Sequence, residues 1–116
     1  MASVYKKMAL RGERKIDITD LKNNLTREIN AELVCDSWKY FENAVVVLLS
    51  FEKYYFRTGS YASLTVMLTQ NENGQTVDII GSGGGEGLFN ISWGANSNFA
   101  ENAVRILEQY GFSQTN

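Results

Sequence analysis

Residues 61–80 read YASLTVMLTQNENGQTVDII, and this segment carries the strongest evidence for the fold class. Over residues 61–71 apolar and polar side chains alternate, which predicts a strand, because successive strand side chains point to opposite sides of a sheet. The Asn73-Gly74 pair predicts a type I′ hairpin turn, since both residues accept positive φ angles. Residues 76–80 are therefore expected to be the antiparallel partner strand.

Three further strands are predicted on the N-terminal side of this hairpin. Residues 44–56, AVVVLLSFEKYYF, are β-branched and aromatic, and both faces of the first half are apolar. That composition predicts a central strand with neighbours on both edges. Residues 33–40 predict a short strand, and residues 3–11 predict another with its apolar side chains on one face.

Two amphipathic helices complete the prediction. Apolar residues recur at spacings of three and four over residues 18–31, with Asp17 as the N-cap. Asn98 and Glu101 resemble a capping box that opens the second helix. Gly111 predicts its end, because glycine readily adopts the left-handed conformation of a Schellman motif.

The segment GSGGGEG, residues 81–87, is the most unusual stretch of the chain. It lacks the Lys of a P-loop, and residues 88–93 alternate like a strand, so no helix N-terminus would face a phosphate. The sequence therefore predicts a flexible hairpin connection or a bulge where another backbone approaches closely. The alternative is a mobile flap over a pocket or a partner surface.

These elements predict an α+β fold in a single domain over residues 1–116. We expect one antiparallel sheet of five or six strands with both helices packed on one face, because the strands cluster rather than alternate with helices. The element order is β-α-β-β-β-β-(β)-α, where the bracketed strand is residues 88–93. It resembles the TATA-binding-protein-like and helix-grip folds, an analogy of topology that implies no function.

Composition excludes several kinds of chemistry. The chain has no His and a single cysteine, Cys35, so Ser-His-Asp and Cys-His catalysis and the common zinc sites are impossible. We expect Cys35 to be a buried or half-buried structural thiol, and we expect no metal and no cofactor. No enzymatic activity is predicted; the alternative is a carboxylate-based activity that would have to bring Glu52, Asp78 and Glu86 together.

Charge and hydropathy limit the partners. The net charge of −2 argues against a nucleic-acid binder, and no segment resembles a secretory signal or a membrane span, so we expect a cytosolic protein. The N-terminal segment is nevertheless locally basic. We interpret its charges as protection of an edge strand against pairing with other chains, with an anion-attracting patch as the alternative. These charges are Lys6, Lys7, Arg11, Arg14 and Lys15.

The predicted sheet has apolar residues on its second face as well, and such a face needs cover. Our leading hypothesis is a non-enzymatic interaction module that forms a homodimer through this face. The alternative is a carrier of a small apolar molecule, with a pocket between sheet and helices. The candidate binding residues lie on the second face and in the glycine-rich segment: Tyr61, Thr65, Met67, Ser82, Gly84 and Glu86.

Four segments together resemble an uncharacterised family of small bacterial proteins, defined as a domain of unknown function. They are SVYKK (3–7), VVVLLSFEKYYFRTG (45–59), SGGG (82–85) and NFAENAVRILEQY (98–110). The resemblance extends over most of the chain and implies a bacterial, cytosolic, single-domain protein. It brings no catalytic or binding residues.

Overall fold

Four strands that are consecutive along the chain make up most of the sheet. The structure is a computed structural model that describes residues 3–12, 15–56, 59–83 and 89–115. Of residues 89–98 it describes the backbone only. In chain order the elements are β1 (Ser3–Arg11), α1 (Ile18–Glu28), β2 (Glu32–Phe41), β3 (Ala44–Tyr55), β4 (Ser60–Asn71), β5 (Gly74–Gly83), α2 (Phe89–Glu108) and β6 (Ser113–Gln114). The predicted α+β class is confirmed.

All six strands belong to one antiparallel sheet in the order β2-β3-β4-β5-β1-β6. The prediction that residues 44–56 form a central strand is confirmed, since β2 and β4 pair along the two edges of β3. β1 pairs with β5 over its whole length, so the N-terminal strand closes the far side of the sheet. β2 forms one edge, and the two-residue β6 partly covers the other.

One cluster of buried apolar side chains joins the sheet to both helices. Met8, Phe51 and Leu64 of the strands, and Leu21 and Leu107 of the helices, have no solvent-exposed surface. Full burial of one such side chain stabilises the fold by about 1.5–3 kcal/mol. Because both helices contribute to the same cluster, they cover the same face of the sheet, as predicted.

Two of the predicted helix ends are confirmed, the start of α1 and the end of α2. The Asp20 N–H donates to the Asp17 carboxylate at 3.2 Å, so Asp17 caps α1. At the end of α2, the Phe112 N–H donates to the Leu107 carbonyl at 3.3 Å, and Gly111 has a φ of +101°. This is the Schellman pattern, and Phe112 is buried beside it. No helix in the described part of the chain has both the length and the hydropathy needed to span a membrane.

The predicted strand over residues 88–93 is wrong, because α2 begins at Phe89 rather than at Asn98. Phe89 and Trp93 fit a period of two, but their separation of four residues also places them on one helical face. Short apolar runs do not distinguish these two periods. The sixth strand is instead β6, which follows α2.

The glycine-rich segment differs from its prediction too. It is not a hairpin connection, since the chain passes from β5 into α2. Residues 81–83 pair with β4, and residues 81 and 82 also pair with β1. The expected close backbone approach does occur at Gly83, where a Cβ atom would lie 2.6 Å from the Tyr61 carbonyl oxygen. Gly84 and Glu86 lie outside the described residues, so the predicted flap is not tested.

The hairpin between β4 and β5 is confirmed, but its turn is not type I′. Asn71 and Gly74 pair across the ladder, so Glu72 and Asn73 form the turn. The φ angle of Asn73 is not positive. The Asn71 side chain accepts a hydrogen bond from the Asn73 N–H at 2.8 Å, and this local bond closes the turn instead.

Candidate binding face of the sheet

The face of the sheet opposite the helices carries no covering element in the described part of the chain, and we call it the open face. Its side chains come from alternate positions of the five long strands, and the register aligns them in rows. The central row consists of Ser37, Leu48, Met67, Asp78 and Lys7. The next row consists of Cys35, Ser50, Thr65, Ile80 and Tyr5.

The apolar centre of the open face is small. Leu48 and Met67 lie opposite each other across β3 and β4, with exposed fractions of 38% and 37%. Ile80, on β5 in the next row, is 43% exposed. These three side chains form a patch narrower than the broad apolar face that the strand pattern predicts, because hydroxyl side chains occupy most neighbouring positions.

The hydroxyl groups form a border around this centre. Ser63 and Ser82 face each other across β4 and β5 with their oxygens 3.0 Å apart. Short hydroxyl side chains project little from the sheet, and they can form hydrogen bonds with water or with polar groups of a partner. The remaining hydroxyl positions on this face are Ser3, Ser37, Ser50, Thr65, Thr69 and Thr76.

Charged side chains are sorted along the strands of the open face. Lys39 of β2 and Arg11 of β1 lie toward the end that contains the β4–β5 turn. Glu32 of β2 and Glu52 of β3 pair with each other nearer the opposite end. Among its strand residues the open face therefore has a basic end and an acidic end, and Glu42 and Glu72 lie in the turns beyond the basic end.

Three exposed aromatic side chains lie beyond the acidic end. The ring centroids of Tyr54 and Tyr61 are 5.0 Å apart, and those of Tyr54 and Phe56 are 5.1 Å apart with the rings nearly perpendicular. Phe56 is 90% exposed. Edge-to-face packing stabilises such pairs, yet most of this surface remains in contact with water.

Tyr5 and Asp78 form the one described hydrogen bond between a tyrosine and a carboxylate on this face. The Tyr5 hydroxyl donates to Asp78 Oδ1 at 2.5 Å. This hydrogen bond raises the pKa of Tyr5 above its usual value, because ionisation would remove the donated proton beside a carboxylate. Both groups are solvent-exposed, so the pair orients the Tyr5 ring across the neighbouring strand.

Four of the predicted binding residues lie on the open face, with Tyr61 beyond its acidic end and Met67 at its centre. Tyr61, Thr65 and Met67 lie on the open face of β4, and Ser82 lies on the open face of β5. Sequence reasoning missed Ile80, which lies beside Thr65, and Tyr5, which lies beside Ile80, because both positions depend on how β5 and β1 align with β4. The alternation of side chains along β5 could have identified Ile80. No pattern within β1 indicated that Tyr5 would lie beside Ile80.

The open face does not assemble a catalytic carboxylate pair from the described candidates. Glu52 lies on β3, and Asp78 lies on β5, two rows away with β4 between them. Glu86, the third predicted acid, lies outside the described residues. No group of three Cys, Asp or Glu side chains within the described ranges could hold a metal ion.

Two surface cavities lie at the margins of the sheet. One, of about 390 Å³, is lined by Tyr5, Lys6, Lys7, Gln114 and Thr115 at the edge formed by β1 and β6. The other, of about 240 Å³, lies between the β2–β3 and β4–β5 turns and includes Lys15, Phe41 and Gln70 in its lining. Neither of these two cavities lies between the sheet and the helices.

Comparison with known proteins supplies a family but no activity. No curated protein and no solved structure matches the chain. The model of one family, described as a family of unknown function (DUF6054), matches residues 1–111. This match covers every described element except β6. The chain therefore belongs to the DUF6054 family, whose function is unknown.

Proposed function

We propose that this protein is a non-enzymatic interaction module of the bacterial cytoplasm that forms a homodimer through its open face. The observation that carries the proposal is the apolar centre of that face, where Met67 lies opposite Leu48 and diagonal to Ile80, and each of the three is more than a third exposed. Burying these side chains against a second copy removes apolar surface from water. The single cysteine, Cys35, is compatible with the reducing cytoplasm, and cell fractionation checks the cytoplasmic setting.

The charges of the open face favour a second copy as the partner. A two-fold axis parallel to the sheet and perpendicular to its strands would place the basic end of one copy over the acidic end of the other. Lys39 of each copy would then approach Glu32 and Glu52 of its partner. Such an interface is isologous, so one set of contacts is made twice.

The size of the open face also fits a dimer. Five strands about 4.8 Å apart and about ten residues long make a surface of roughly 24 by 33 Å, or roughly 800 Å². That area matches the roughly 800 Å² that each partner contributes to a stable interface of ordinary size. The hydroxyl border is compatible with this function, since interfaces combine an apolar centre with a polar rim.

Light scattering after size exclusion tests the dimer over a range of protein concentrations up to several hundred micromolar. We expect a dimer that Met67→Lys converts to a monomer, because an ammonium group in the apolar centre would be desolvated without a partner. Asn23→Lys, on the exposed side of α1, is the matched control and should leave the dimer intact. A wild-type protein that stays monomeric, or a dimer that tolerates Met67→Lys and Tyr61→Lys, would exclude the proposal.

A charge exchange tests the orientation of the two copies. Lys39→Glu should weaken dimerisation roughly five-fold, in the range expected for partly exposed ion pairs. Adding Glu52→Lys to the same chain should restore much of the affinity, because the exchanged charges again face opposite partners. If the double variant dimerises more weakly than both single variants, this orientation is wrong.

The carrier hypothesis lacks a comparable observation. It needs space between the sheet and the helices, and the described side chains of that layer form one packed cluster. The two cavities described above lie elsewhere on the surface. The carrier therefore stays a prediction, which titration with an apolar fluorescent dye and mapping of the bound position would test.

A further inference from the structure

The outer edge of β1 is only partly covered by its neighbour in the sheet. β6 pairs with β1 at Met8 and Ala9, and the Thr115 N–H extends this contact by donating to the Lys7 carbonyl at 2.8 Å. From Ser3 to Lys6 no described residue pairs with this edge. The β1 strand therefore presents an unpaired segment directly beside the end of β6.

The hydrogen bond at Lys7 fixes which backbone groups face this edge. In an antiparallel ladder, the N–H and C=O groups of one residue point to one neighbour, and those of the next residue point to the other. Because the Lys7 carbonyl points toward β6, the backbone groups of Tyr5 and Ser3 point the same way. A strand added here could form hydrogen bonds with both residues.

A surface groove and two lysines accompany these backbone groups. The cavity of about 390 Å³ lies at this edge and is lined by Tyr5, both lysines, Gln114 and Thr115. Lys7 lies on the open face and Lys6 on the helix side, so a positive charge flanks the edge on each face of the sheet. Neither ammonium group has an ion-pair partner within the part of the chain that the structure describes.

The charges of Lys6 and Lys7 favour an acidic peptide over a second copy of β1 as the strand that pairs with this edge. Pairing β1 with β1 of a second copy would bring like charges together, and like charges placed opposite each other destabilise a strand pair. An extended segment with acidic residues at successive positions would instead meet Lys6 on one face and Lys7 on the other. The same lysines that protect the edge against its own copies therefore select a partner of opposite charge.

We propose that the edge of β1 between Ser3 and Lys7 binds an extended acidic peptide segment by β-strand addition, antiparallel to β1 and in line with β6. The main-chain bonds to Ser3 and Tyr5 supply affinity, and the two lysines supply charge specificity. This interaction uses the backbone edge of β1, and it shares only Ser3, Tyr5 and Lys7 with the open face that the proposed dimer would cover.

Fluorescence anisotropy with a labelled synthetic peptide tests the proposal. The probe is a short peptide of Thr and Val with a Glu-Asp pair at its centre, and its partners carry Gln-Asn or Lys-Lys at those positions. We expect binding only to the acidic peptide, with a loss of roughly five-fold for Lys6→Glu or Lys7→Gln. Arg27→Glu removes a positive charge from the exposed side of α1 and is the matched control, for which we expect unchanged affinity.

A second measurement separates strand addition from simple charge attraction. N-methylation of the peptide at alternate backbone nitrogens should abolish binding in one register, and amide exchange at Ser3 and Tyr5 should slow when the unmodified peptide binds. Absence of binding by the acidic peptide, equal affinity for both N-methylated forms, or insensitivity to both lysine variants would overturn the proposal. Protection of the two amides by increasing protein concentration alone would do so too, because a second copy would then occupy the edge.

Discussion

The buried side chain of Gln75 holds in place the segment that connects β1 to α1. It is 2% exposed, and its Oε1 accepts hydrogen bonds from the Ile16 N–H and from Gln70 Nε2, each at 2.9 Å. Gln70 Nε2 also donates to the Ile16 carbonyl at 2.8 Å. The two amides thus satisfy the backbone of Ile16, at the point where the chain enters α1.

Gln75→Leu should lower the free energy of unfolding by about 1–3 kcal/mol, because the Ile16 N–H would stay buried without its acceptor. Urea denaturation followed by circular dichroism measures the loss. Gln109→Leu, at an exposed position after α2, is the matched control and should change stability by less than about 0.5 kcal/mol. Equal effects of the two substitutions would mean that the amide contacts at Ile16 do not stabilise the fold.

At the scale of elements, one ion pair ties α1 to the edge strand β2. Lys22 Nζ of α1 lies 2.8 Å from Asp36 Oδ2, and the Trp38 indole N–H donates to Asp36 Oδ1 at 2.5 Å. The hydrogen bond from Lys22, followed by that from Trp38, lowers the pKa of Asp36 below its usual value. The carboxylate therefore favours the folded state when it is ionised.

The sign of the pKa shift predicts how this contact depends on pH. The contribution of ionised Asp36 to the free energy of unfolding is fully present above the usual aspartate pKa of about 3.9. This contribution is lost as the pH falls through the lowered pKa of Asp36 in the folded state. Asp36→Asn should thus cost less than about 1 kcal/mol at neutral pH, since the pair is partly exposed. Urea denaturation should show that the difference in the free energy of unfolding between wild type and Asp36→Asn decreases as the pH is lowered from about 5 toward 2.

Glu42→Gln supplies the control for the pH series. Glu42 lies exposed in the β2–β3 turn and has no ion-pair partner in the described ranges. We expect Glu42→Gln to change the free energy of unfolding by less than about 0.5 kcal/mol. An Asp36→Asn gap that persists unchanged at low pH would show that Lys22 and Asp36 do not stabilise the contact between α1 and β2.

At the scale of the whole molecule, the strands of the sheet differ in how well their backbone amides are protected from exchange with water. β3 and β4 pair on both edges and contribute fully buried residues such as Val47 and Leu64. Among the described residues, β2 has a strand partner on one edge only. A register shift between Leu33 and Cys35 interrupts even that pairing. Backbone groups with two strand neighbours require a larger opening to exchange with water.

Hydrogen exchange should therefore rank the strands. We expect the amides of β4 to exchange slowest, at least about 100-fold more slowly than the outward-facing amides of β2. Exchange followed by NMR in the monomeric Met67→Lys variant measures this without protection from a dimer. Equal rates in β2 and β4 would contradict the ranking and would indicate that the sheet opens as one unit.

Much of the fold could be predicted because its signals are local. The alternation around Leu64, the cap at Asp17 and the stop at Gly111 each depend on a few adjacent residues. The start of α2 at Phe89 could not be predicted, since a run of six residues fits both strand and helix periods. Tyr5 was missed in the row of Thr65 and Ile80 because β1 is far from β4 and β5 along the chain, and only their pairing places it there.

The amino-acid order by itself determined the five long strands, the start of α1 and the end of α2, the side of each long strand that faces the core, and the exclusion of histidine-dependent chemistry. Only the tertiary structure decided how apolar the open face is, how its charges are sorted and which part of β1 stays unpaired. The physical reason is register. A strand's own pattern specifies its two faces, but the pairing of distant strands sets which side chains become neighbours and which backbone groups remain without a partner strand.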